Sequence, residues 1–323
     1  MPVMATIANK GTNGASKPEY GRRLIPHIID GLAKDDPTRE AFSIPRSENP
    51  KDGWKAITFK QYANAINRVA HRIIEECGTP SSGSFPTIAY IGPNDARYVV
   101  LMVGAIKAGY KALFISPRNS QEGQLSLFEK TGCKIIAFAR QQRSLIKPWL
   151  QERDMQAIEV GEIEAWFPEQ EVKPFPYEKT FEEAEWEPAA VLHTSGSTAL
   201  PKPIVLTNGL IAINDVFQQT PDFNGAMPWM KGFSSLARRH LVPMPLFHAA
   251  GLYIFVFSAI YWGTPIAFGI GERPLSIDLV IDCLENVDVE GVMLPPAMLE
   301  EMSHSDEYIQ SLAKLKIVTF GGG

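Results

Sequence analysis

The sequence contains little cysteine and no excess of positive charge. Its three cysteines, Cys77, Cys133 and Cys283, are an odd number and lie far apart without metal-ligand spacing. This excludes a disulfide framework and favours a reducing, cytoplasmic location. Lysine and arginine number 31 against 36 aspartate and glutamate residues, giving a net charge of −5. That balance argues against a nucleic-acid partner and against binding to an anionic membrane.

The sequence also lacks a long unbroken apolar segment. The stretch 251–268 carries no charge, but Gly263-Thr264-Pro265 interrupts it. Because proline cannot donate the hydrogen bond that continues a helix, we expect a buried helix followed by a strand here, and no membrane span. The N-terminus has no apolar core of the kind a secretory signal carries, and residues 1–18 are predicted to be a disordered tail.

What the sequence does contain is an alternation of short apolar runs with segments of helical period. This pattern predicts an α/β fold of parallel βαβ units with helices on both faces of the sheet. The polar, proline-containing stretch 162–187 is the expected boundary between two lobes of residues 19–323, about 19–185 and 186–323. The predicted helices lie at 58–78, 94–109, 120–131, 207–219, 248–261 and 276–286, and the predicted strands at 87–91, 112–115, 134–138, 189–192, 241–242, 265–268, 291–294 and 316–320.

One loop between a predicted strand and a predicted helix is rich in glycine and hydroxyl residues. It reads His193-Thr194-Ser195-Gly196-Ser197-Thr198-Ala199-Leu200-Pro201-Lys202-Pro203. Small residues let backbone N–H groups approach a ligand, hydroxyls add donors and the lysine adds positive charge, so the loop suits a polyphosphate. Its spacing is not that of the common P-loop. The alternative is a flexible turn without a ligand.

The run from Thr194 to Thr198, followed by Leu200-Pro201-Lys202, resembles the phosphate-binding signature of the acyl-adenylate-forming (AMP-dependent synthetase/ligase) superfamily. The segment from Leu113 to Ser120 is similar to fungal nonribosomal peptide synthetase-like (carboxylic acid reductase-like) enzymes in particular. Further segments resemble the superfamily in the same order along the chain: Ile57-Thr58-Phe59, 104–109, 245–251 with His248, and 318–323.

The resemblance implies two stacked βαβ lobes, as in the large N-terminal domain of adenylate-forming enzymes, truncated and without the small C-terminal lid. It implies that ATP activates a carboxylic acid as an acyl-AMP with release of pyrophosphate, and that Mg²⁺ is bound by a glutamate expected downstream. The implied site has four parts. Thr194, Ser195, Gly196, Ser197 and Thr198 cradle the β- and γ-phosphates, Lys202 adds charge at the pyrophosphate, His248 lies near the carboxylate, and Gly321, Gly322 and Gly323 lie beside the adenine and acyl pockets.

The same resemblance indicates a substrate class and an acyl acceptor. No acidic residue lies beside His248 to pair with an ammonium group, which favours an aryl, α-keto or aliphatic carboxylic acid over an α-amino acid. Full-length relatives pass the acyl group to a phosphopantetheine carrier domain or to CoA. An acyl- or aryl-CoA ligase fragment and a non-catalytic nucleotide-binding relative are the alternatives.

The sequence departs from the superfamily pattern in two respects. Ala199 and Pro203 stand where glycines are usual, and the methyl group of Ala199 can obstruct a positive φ or a close backbone approach at a cost of about 1 kcal/mol. The superfamily's later motifs, which hold the Mg²⁺ glutamate, a ribose-binding aspartate and the lid lysine, do not occur before Gly323. We therefore expect a fragment that adenylates poorly by itself.

Overall fold

The computed structural model describes residues 19–194 and 200–321. The strands of these residues form two six-stranded sheets. Sheet A has the order β12-β11-β9-β10-β1-β2, and sheet B has the order β6-β5-β3-β4-β7-β8. The strands are β1 (Glu40–Pro45), β2 (Trp54–Thr58), β3 (Thr87–Ile91), β4 (Lys111–Phe114), β5 (Ile135–Ala139), β6 (Gln156–Val160), β7 (Pro188–His193), β8 (Pro203–Thr207), β9 (His240–Val242), β10 (Ile266–Phe268), β11 (Gly291–Leu294) and β12 (Ile317–Phe320).

Helices occupy three layers that alternate with the two sheets. A central apolar cluster joins the sheets and includes α1, α2, α3 and α9, while separate clusters pack α4 and α5 on the outside of sheet B and α10 to α12 on the outside of sheet A. The helices are α1 (Ile25–Asp35), α2 (Phe59–Cys77), α3 (Arg97–Ala108), α4 (Gln121–Lys130), α5 (Arg143–Glu152), α6 (Phe181–Ala184), α7 (Asn208–Ala212), α8 (Trp229–Leu236), α9 (Ala249–Phe255), α10 (Ile277–Asn286), α11 (Pro296–Met302) and α12 (Asp306–Leu312).

The predicted α/β class is confirmed, with one refinement of strand direction. Within each sheet five strands are parallel, and the sixth is an antiparallel edge: β2 pairs with β1, and β8 pairs with β7. Each of these two antiparallel strands ends at a threonine that caps the helix that follows it in the chain. Thr58 accepts from the backbone N–H of Gln61 at 3.2 Å in the predicted capping box, and Thr207 accepts from that of Leu210 at 3.2 Å.

The two sheets are not consecutive halves of the chain. Sheet B takes strands from residues 87–207, whereas sheet A combines residues 40–58 with residues 240–320. The lobes expected at 19–185 and 186–323 differ from this arrangement, because β7 continues sheet B by pairing in parallel with β4, where Ala112 faces Ala190. The sequence pattern also gave no sign of α1, β1 and β2, which precede Thr58.

The polar stretch expected to separate the lobes is packed along α2. Asn64 donates to the carbonyl oxygens of Pro168 (3.2 Å) and Gln170 (2.8 Å), and its own side-chain oxygen accepts from the N–H of Val172 (2.6 Å). One helical turn later, Asn67 accepts from the N–H of Phe175 (3.1 Å). The two asparagines lie on one face of the helix at i, i+3 spacing, so they satisfy backbone groups of a segment that has little regular structure.

The central helix α3 is buried along its whole length, including the two cations at its ends. Arg97 binds Asp95 with an Nη2 to Oδ2 distance of 2.6 Å. Lys107 binds Asp30 of α1 at 2.7 Å and the side-chain oxygen of Asn67 at 2.9 Å. A buried charge is tolerated only when it is paired and hydrogen-bonded, and both ends of α3 meet that requirement.

The apolar stretch 251–268 forms a buried helix and strand, as predicted. The helix starts as α9, continues as a π-helix over Val256–Tyr261, and is followed by β10. Within the described part of the chain, no helix combines the length and the apolar character that a membrane crossing requires.

His240 at the start of β9 is a buried histidine in an apolar setting. Its ring stacks on Phe233 with 3.7 Å between centroids, and Nε2–H donates to the Phe233 carbonyl. Gly291 lies so close that a Cβ there would be 2.3 Å from Nδ1. Burial lowers the pKa of His240 to about 4, so the folded protein keeps this ring neutral.

We predict that acidification destabilises the fold through His240. The unfolded chain binds a proton near pH 6.5, whereas the folded chain does so only near pH 4. The free energy of unfolding therefore falls as the pH drops below 6.5, by about 2 kcal/mol at pH 5 from this residue. Urea unfolding at pH 7 and pH 5 measures the loss, which should shrink in His240→Gln. His304→Gln, at an exposed histidine, is the control, and equal losses in wild type and His240→Gln would contradict the prediction.

Candidate functional site

The hydroxyl-rich loop is held at its base by the β7–β8 hairpin. His193 is opposite Pro203 in the strand register. Beyond that pair, the backbone N–H of Thr194 donates to the Lys202 carbonyl at 3.1 Å, and the N–H of Lys202 donates to Thr194 Oγ1 at 3.2 Å. Ser195, Gly196, Ser197 and Thr198 of the predicted set, with Ala199, lie outside the described residues. The structure thus defines the anchor of the loop.

The segment between β4 and α4 packs against this hairpin. The backbone N–H of Ser116 donates to His193 Nε2 at 3.1 Å, and Gln124 Nε2 donates to the Ser116 carbonyl at 2.6 Å. At the start of α4, a Cβ on Gly123 would lie 3.1 Å from Cδ of Pro201 in the hydroxyl-rich loop. The segment between β4 and the start of α4 therefore contacts the chain on both sides of the loop, at His193 and at Pro201.

His248 occupies the N-cap position of α9 and is half-buried. Its backbone N–H donates to the Pro245 carbonyl at 3.1 Å, which turns the chain before the helix starts. Gly251 in the first turn of α9 has no room for a side chain, because a Cβ would lie 2.4 Å from the Pro245 oxygen. This close approach explains the glycine three residues after the histidine.

Asn94, in the segment between β3 and α3, links the His248 turn to the other sheet. Its side-chain nitrogen donates to the carbonyl oxygens of Pro243 (3.2 Å) and Met244 (3.1 Å), and its side-chain oxygen accepts from the N–H of Leu246 (2.8 Å). The sequence pattern indicates only that a helix begins at Asn94 or Asp95, whereas α3 begins at Arg97. The role of Asn94 in holding residues 243–246 arises from contacts between residues about 150 positions apart, which no local pattern reveals.

His248 interacts electrostatically with His193 at the base of the hairpin. Burial lowers the pKa of His248 from its ordinary value of 6.5, and the neighbouring His193 and Arg118 lower it further. His193 itself has a lowered pKa, because burial outweighs its hydrogen bond to the Thr194 carbonyl. At neutral pH both imidazoles are uncharged, and each is able to donate and to accept a hydrogen bond.

The remaining predicted residues are located as follows. Lys202 follows the loop on an exposed side of the hairpin. Gly321 lies at the carboxyl end of β12, where its N–H donates to the Leu294 carbonyl at 3.3 Å and a Cβ would meet Met293 at 2.8 Å. Gly322 and Gly323 lie outside the described residues. The carboxyl ends of parallel strands are where α/β folds bind ligands, and β4, β7, β9 and β12 all end in these segments.

The described residues contain no cluster of side chains that would by itself hold the Mg²⁺ expected from the sequence. Among residues 19–194 and 200–321, no three histidine, cysteine, aspartate or glutamate side chains come together as metal ligands would. No step of the chemistry is therefore assigned to a metal held by these residues.

Comparison with known proteins agrees with the fold and the motifs. A family model described as AMP-binding enzyme matches residues 31–323. The chain is 55% identical over 307 residues to a carboxylic acid reductase of Neurospora crassa, covering 95% of the chain and 29% of that protein. It is 32% identical over 325 residues to the isocyanide synthase-NRPS hybrid crmA of Aspergillus fumigatus, covering 98% of the chain and 21% of that protein. The chain thus spans less than a third of these relatives.

Solved structures share the fold at lower sequence identity. The N-terminal domain of FACL13 from Mycobacterium tuberculosis has a TM-score of 0.70 at 20% identity, covering 93% of this chain and 70% of that one. The AMPPNP-bound nonribosomal peptide synthetase FmoA3 has a TM-score of 0.67 at 18% identity, covering 97% and 30%. Together with the match over residues 31–323, these findings confirm the resemblance seen in the sequence: the chain belongs to the AMP-binding enzyme family.

Proposed function

We propose that this chain activates a carboxylic acid with ATP, as part of a longer synthetase-like enzyme. The observations that support the proposal are the match of residues 31–323 to the AMP-binding enzyme family and the placement of the loop anchor and His248 after strands β7 and β9, at the strand ends where α/β folds bind ligands. The lowered pKa of His248 reflects burial and then the proximity of His193 at the loop base. A phosphate-binding loop beside a neutral imidazole suits a reaction that joins an acid to a nucleotide.

In the proposed reaction, an oxygen of the carboxylate attacks the α-phosphorus of ATP. The new bond gives an acyl-AMP, and the bond from the α-phosphorus to the bridging oxygen breaks so that pyrophosphate leaves. Negative charge accumulates on the leaving group, so donors fixed around it lower the barrier. Mg²⁺, when bound, would neutralise part of that charge.

The phosphate-side roles fall on the loop and its lysine. Thr194, with the loop residues Ser195, Gly196, Ser197 and Thr198, would surround the β- and γ-phosphates, and Lys202 would place its ammonium group beside the pyrophosphate. The hairpin contacts between Thr194 and Lys202 support this, because they hold the two ends of the loop together. Gly321, Gly322 and Gly323 would border the adenine and acyl pockets, where a side chain would restrict access.

His248 would contact the reacting acid. As a neutral ring it can donate a hydrogen bond to one carboxylate oxygen and orient the other toward phosphorus, without forming an ion pair that would hold the acid in its ground state. The bonds that Asn94 makes to residues 243–246 would fix the approach of this ring.

The proposed substrate is an aryl, α-keto or aliphatic carboxylic acid. His248 is followed by Ala249 and Ala250, so no adjacent carboxylate would balance a substrate ammonium. Two buried carboxylates elsewhere in the described chain already have partners, since Asp95 binds Arg97 and Asp215 binds Arg23. The acceptor of the acyl group would be a phosphopantetheine carrier domain or CoA.

The first test removes the two proposed side chains. Lys202→Ala should weaken ATP binding about tenfold, because one charge-assisted hydrogen bond is lost. His248→Ala should leave ATP affinity within about twofold and lower acid-dependent pyrophosphate release roughly a hundredfold, since it loses a donor at the reacting group. Calorimetry of this chain with ATP and Mg²⁺ measures the first quantity, and a pyrophosphate-release assay on the longer enzyme that contains it measures the second.

The controls for this test are Lys314→Ala and His304→Ala, which alter exposed residues of the same types. Both should behave as the wild type. Failure of the wild-type chain to bind ATP, or an equal response of the control variants, would reject the proposal.

The second test concerns substrate class. A panel of benzoates, α-keto acids, aliphatic acids and α-amino acids should give pyrophosphate release with one of the first three groups and at least about tenfold less with amino acids, because a buried ammonium without a partner is costly. A preference for an α-amino acid over its des-amino analogue would contradict the assignment.

The third test concerns Asn94. Replacing it with alanine removes three hydrogen bonds to residues 243–246, so the position of His248 should loosen. We expect pyrophosphate release to fall about tenfold with ATP affinity nearly unchanged, since small misplacements of a reacting group are costly. Asn286→Ala, on the exposed side of α10, is the matched control. Wild-type turnover in Asn94→Ala would show that these bonds do not set the site.

A further inference from the structure

The two ring nitrogens of His193 have different and identifiable partners. The backbone N–H of Ser116 points at Nε2 over 3.1 Å, and the side-chain nitrogen of Asn119 lies 3.4 Å from the same atom. A backbone N–H can only donate, so Nε2 must be the unprotonated nitrogen. Nδ1 then carries the hydrogen and donates it to the Thr194 carbonyl at 3.1 Å. The hydrogen-bond partners thereby assign one tautomer.

This arrangement requires a neutral ring. An imidazolium has two donors and no acceptor, so protonation would break the bond from Ser116. His193 is only 7% exposed, and burial lowers its pKa. His248 before α9 is a second titratable group that interacts electrostatically with His193. A positive charge on His248 would oppose protonation of His193.

The segment that His193 holds carries an exposed arginine. Residues 116–119, which we call the Arg118 loop, fold on themselves: the N–H of Arg118 donates to Ser116 Oγ at 3.2 Å, and that of Asn119 donates to the Ser116 carbonyl at 3.3 Å. Within residues 19–194 and 200–321, no acidic side chain pairs with the Arg118 guanidinium. Because β4 pairs in parallel with β7, the Arg118 loop leaves the same edge of sheet B as the hydroxyl-rich loop, and the charge of Arg118 also contributes to lowering the pKa of His248.

We propose that Arg118 binds the β- and γ-phosphates of the nucleotide and that His193, as its Nδ1–H tautomer, positions the Arg118 loop against the base of the phosphate loop. The inference rests on the proposed function and adds a phosphate ligand and a positioning residue to it. A guanidinium matches two phosphate oxygens at once. The phosphates are the preferred partner over the substrate carboxylate, because His193 bonds the Arg118 loop to Thr194, the first residue of the phosphate loop.

Substitutions of Arg118 test the phosphate contact. Arg118→Gln should weaken ATP binding about tenfold, equivalent to about 1.4 kcal/mol, and Arg118→Lys should recover part of the loss because it retains the charge. The affinity of AMP should change by less than twofold, since AMP lacks the β- and γ-phosphates. Arg140→Gln removes a charge from another exposed arginine and is the control.

Two variants of His193 distinguish the role of the Nε2 acceptor from that of the Nδ1 donor. His193→Gln can place an acceptor near the position of Nε2, whereas His193→Asn can place a donor near Nδ1 but does not reach Ser116. We expect His193→Asn to weaken ATP binding about tenfold and to speed hydrogen exchange at the Ser116 amide, and His193→Gln to stay within about threefold of the wild type in both. The midpoint of urea unfolding should be similar in the two variants, which separates positioning from a general loss of stability.

Coupling between the residues completes the test. If His193 holds the Arg118 loop, Arg118→Gln should cost less than threefold in ATP affinity when His193 is already asparagine, against about tenfold alone. Additive losses would overturn the positioning role, and an Arg118→Gln variant with wild-type ATP affinity would overturn the phosphate contact. A wild-type chain that binds no ATP while its Ser116 amide is still protected by His193 would instead reject the proposed function, and this role of Arg118 with it.

Discussion

The structure depends on the burial of α3 between the two sheets. A helix surrounded by apolar side chains can keep charged residues only where a partner neutralises them. Arg97 at its start meets Asp95, and Lys107 at its end meets Asp30 and Asn67. These contacts fix where α3 begins and ends. They also fix the turn before α3, from which Asn94 reaches the segment that carries His248.

The proposed catalytic surface is made by segments that follow strands of both sheets. The hydroxyl-rich loop and the Arg118 loop follow strands of sheet B, while His248 and Gly321 follow strands of sheet A. In the described residues, side chains such as Asn94, His193 and Gln124 bind backbone groups of these segments, and Arg118 and Lys202 remain exposed.

Local features of the fold were predictable from the sequence, and long-range pairings were not. The cap at Thr58, the glycine end of α3 and the strand before the hydroxyl-rich loop rest on neighbouring residues, and the structure places them where expected. Strand β1 pairs with β10, where Phe42 faces Ile266, and no periodicity encodes such a partner. For the same reason the division into sheets differs from the predicted lobes, and the bond from Ser116 to His193 could not be foreseen.

The Asn94 bridge has one further consequence. It spans from a turn of sheet B to a turn of sheet A, so a change in the separation of the two sheets would move residues 243–246, which precede His248. Cavity-forming or overpacking changes in the central layer shift neighbouring elements by fractions of an ångström. Such changes would alter turnover from a distance without touching a ligand, and the interior of this protein would then be subject to selection for rate as well as for stability.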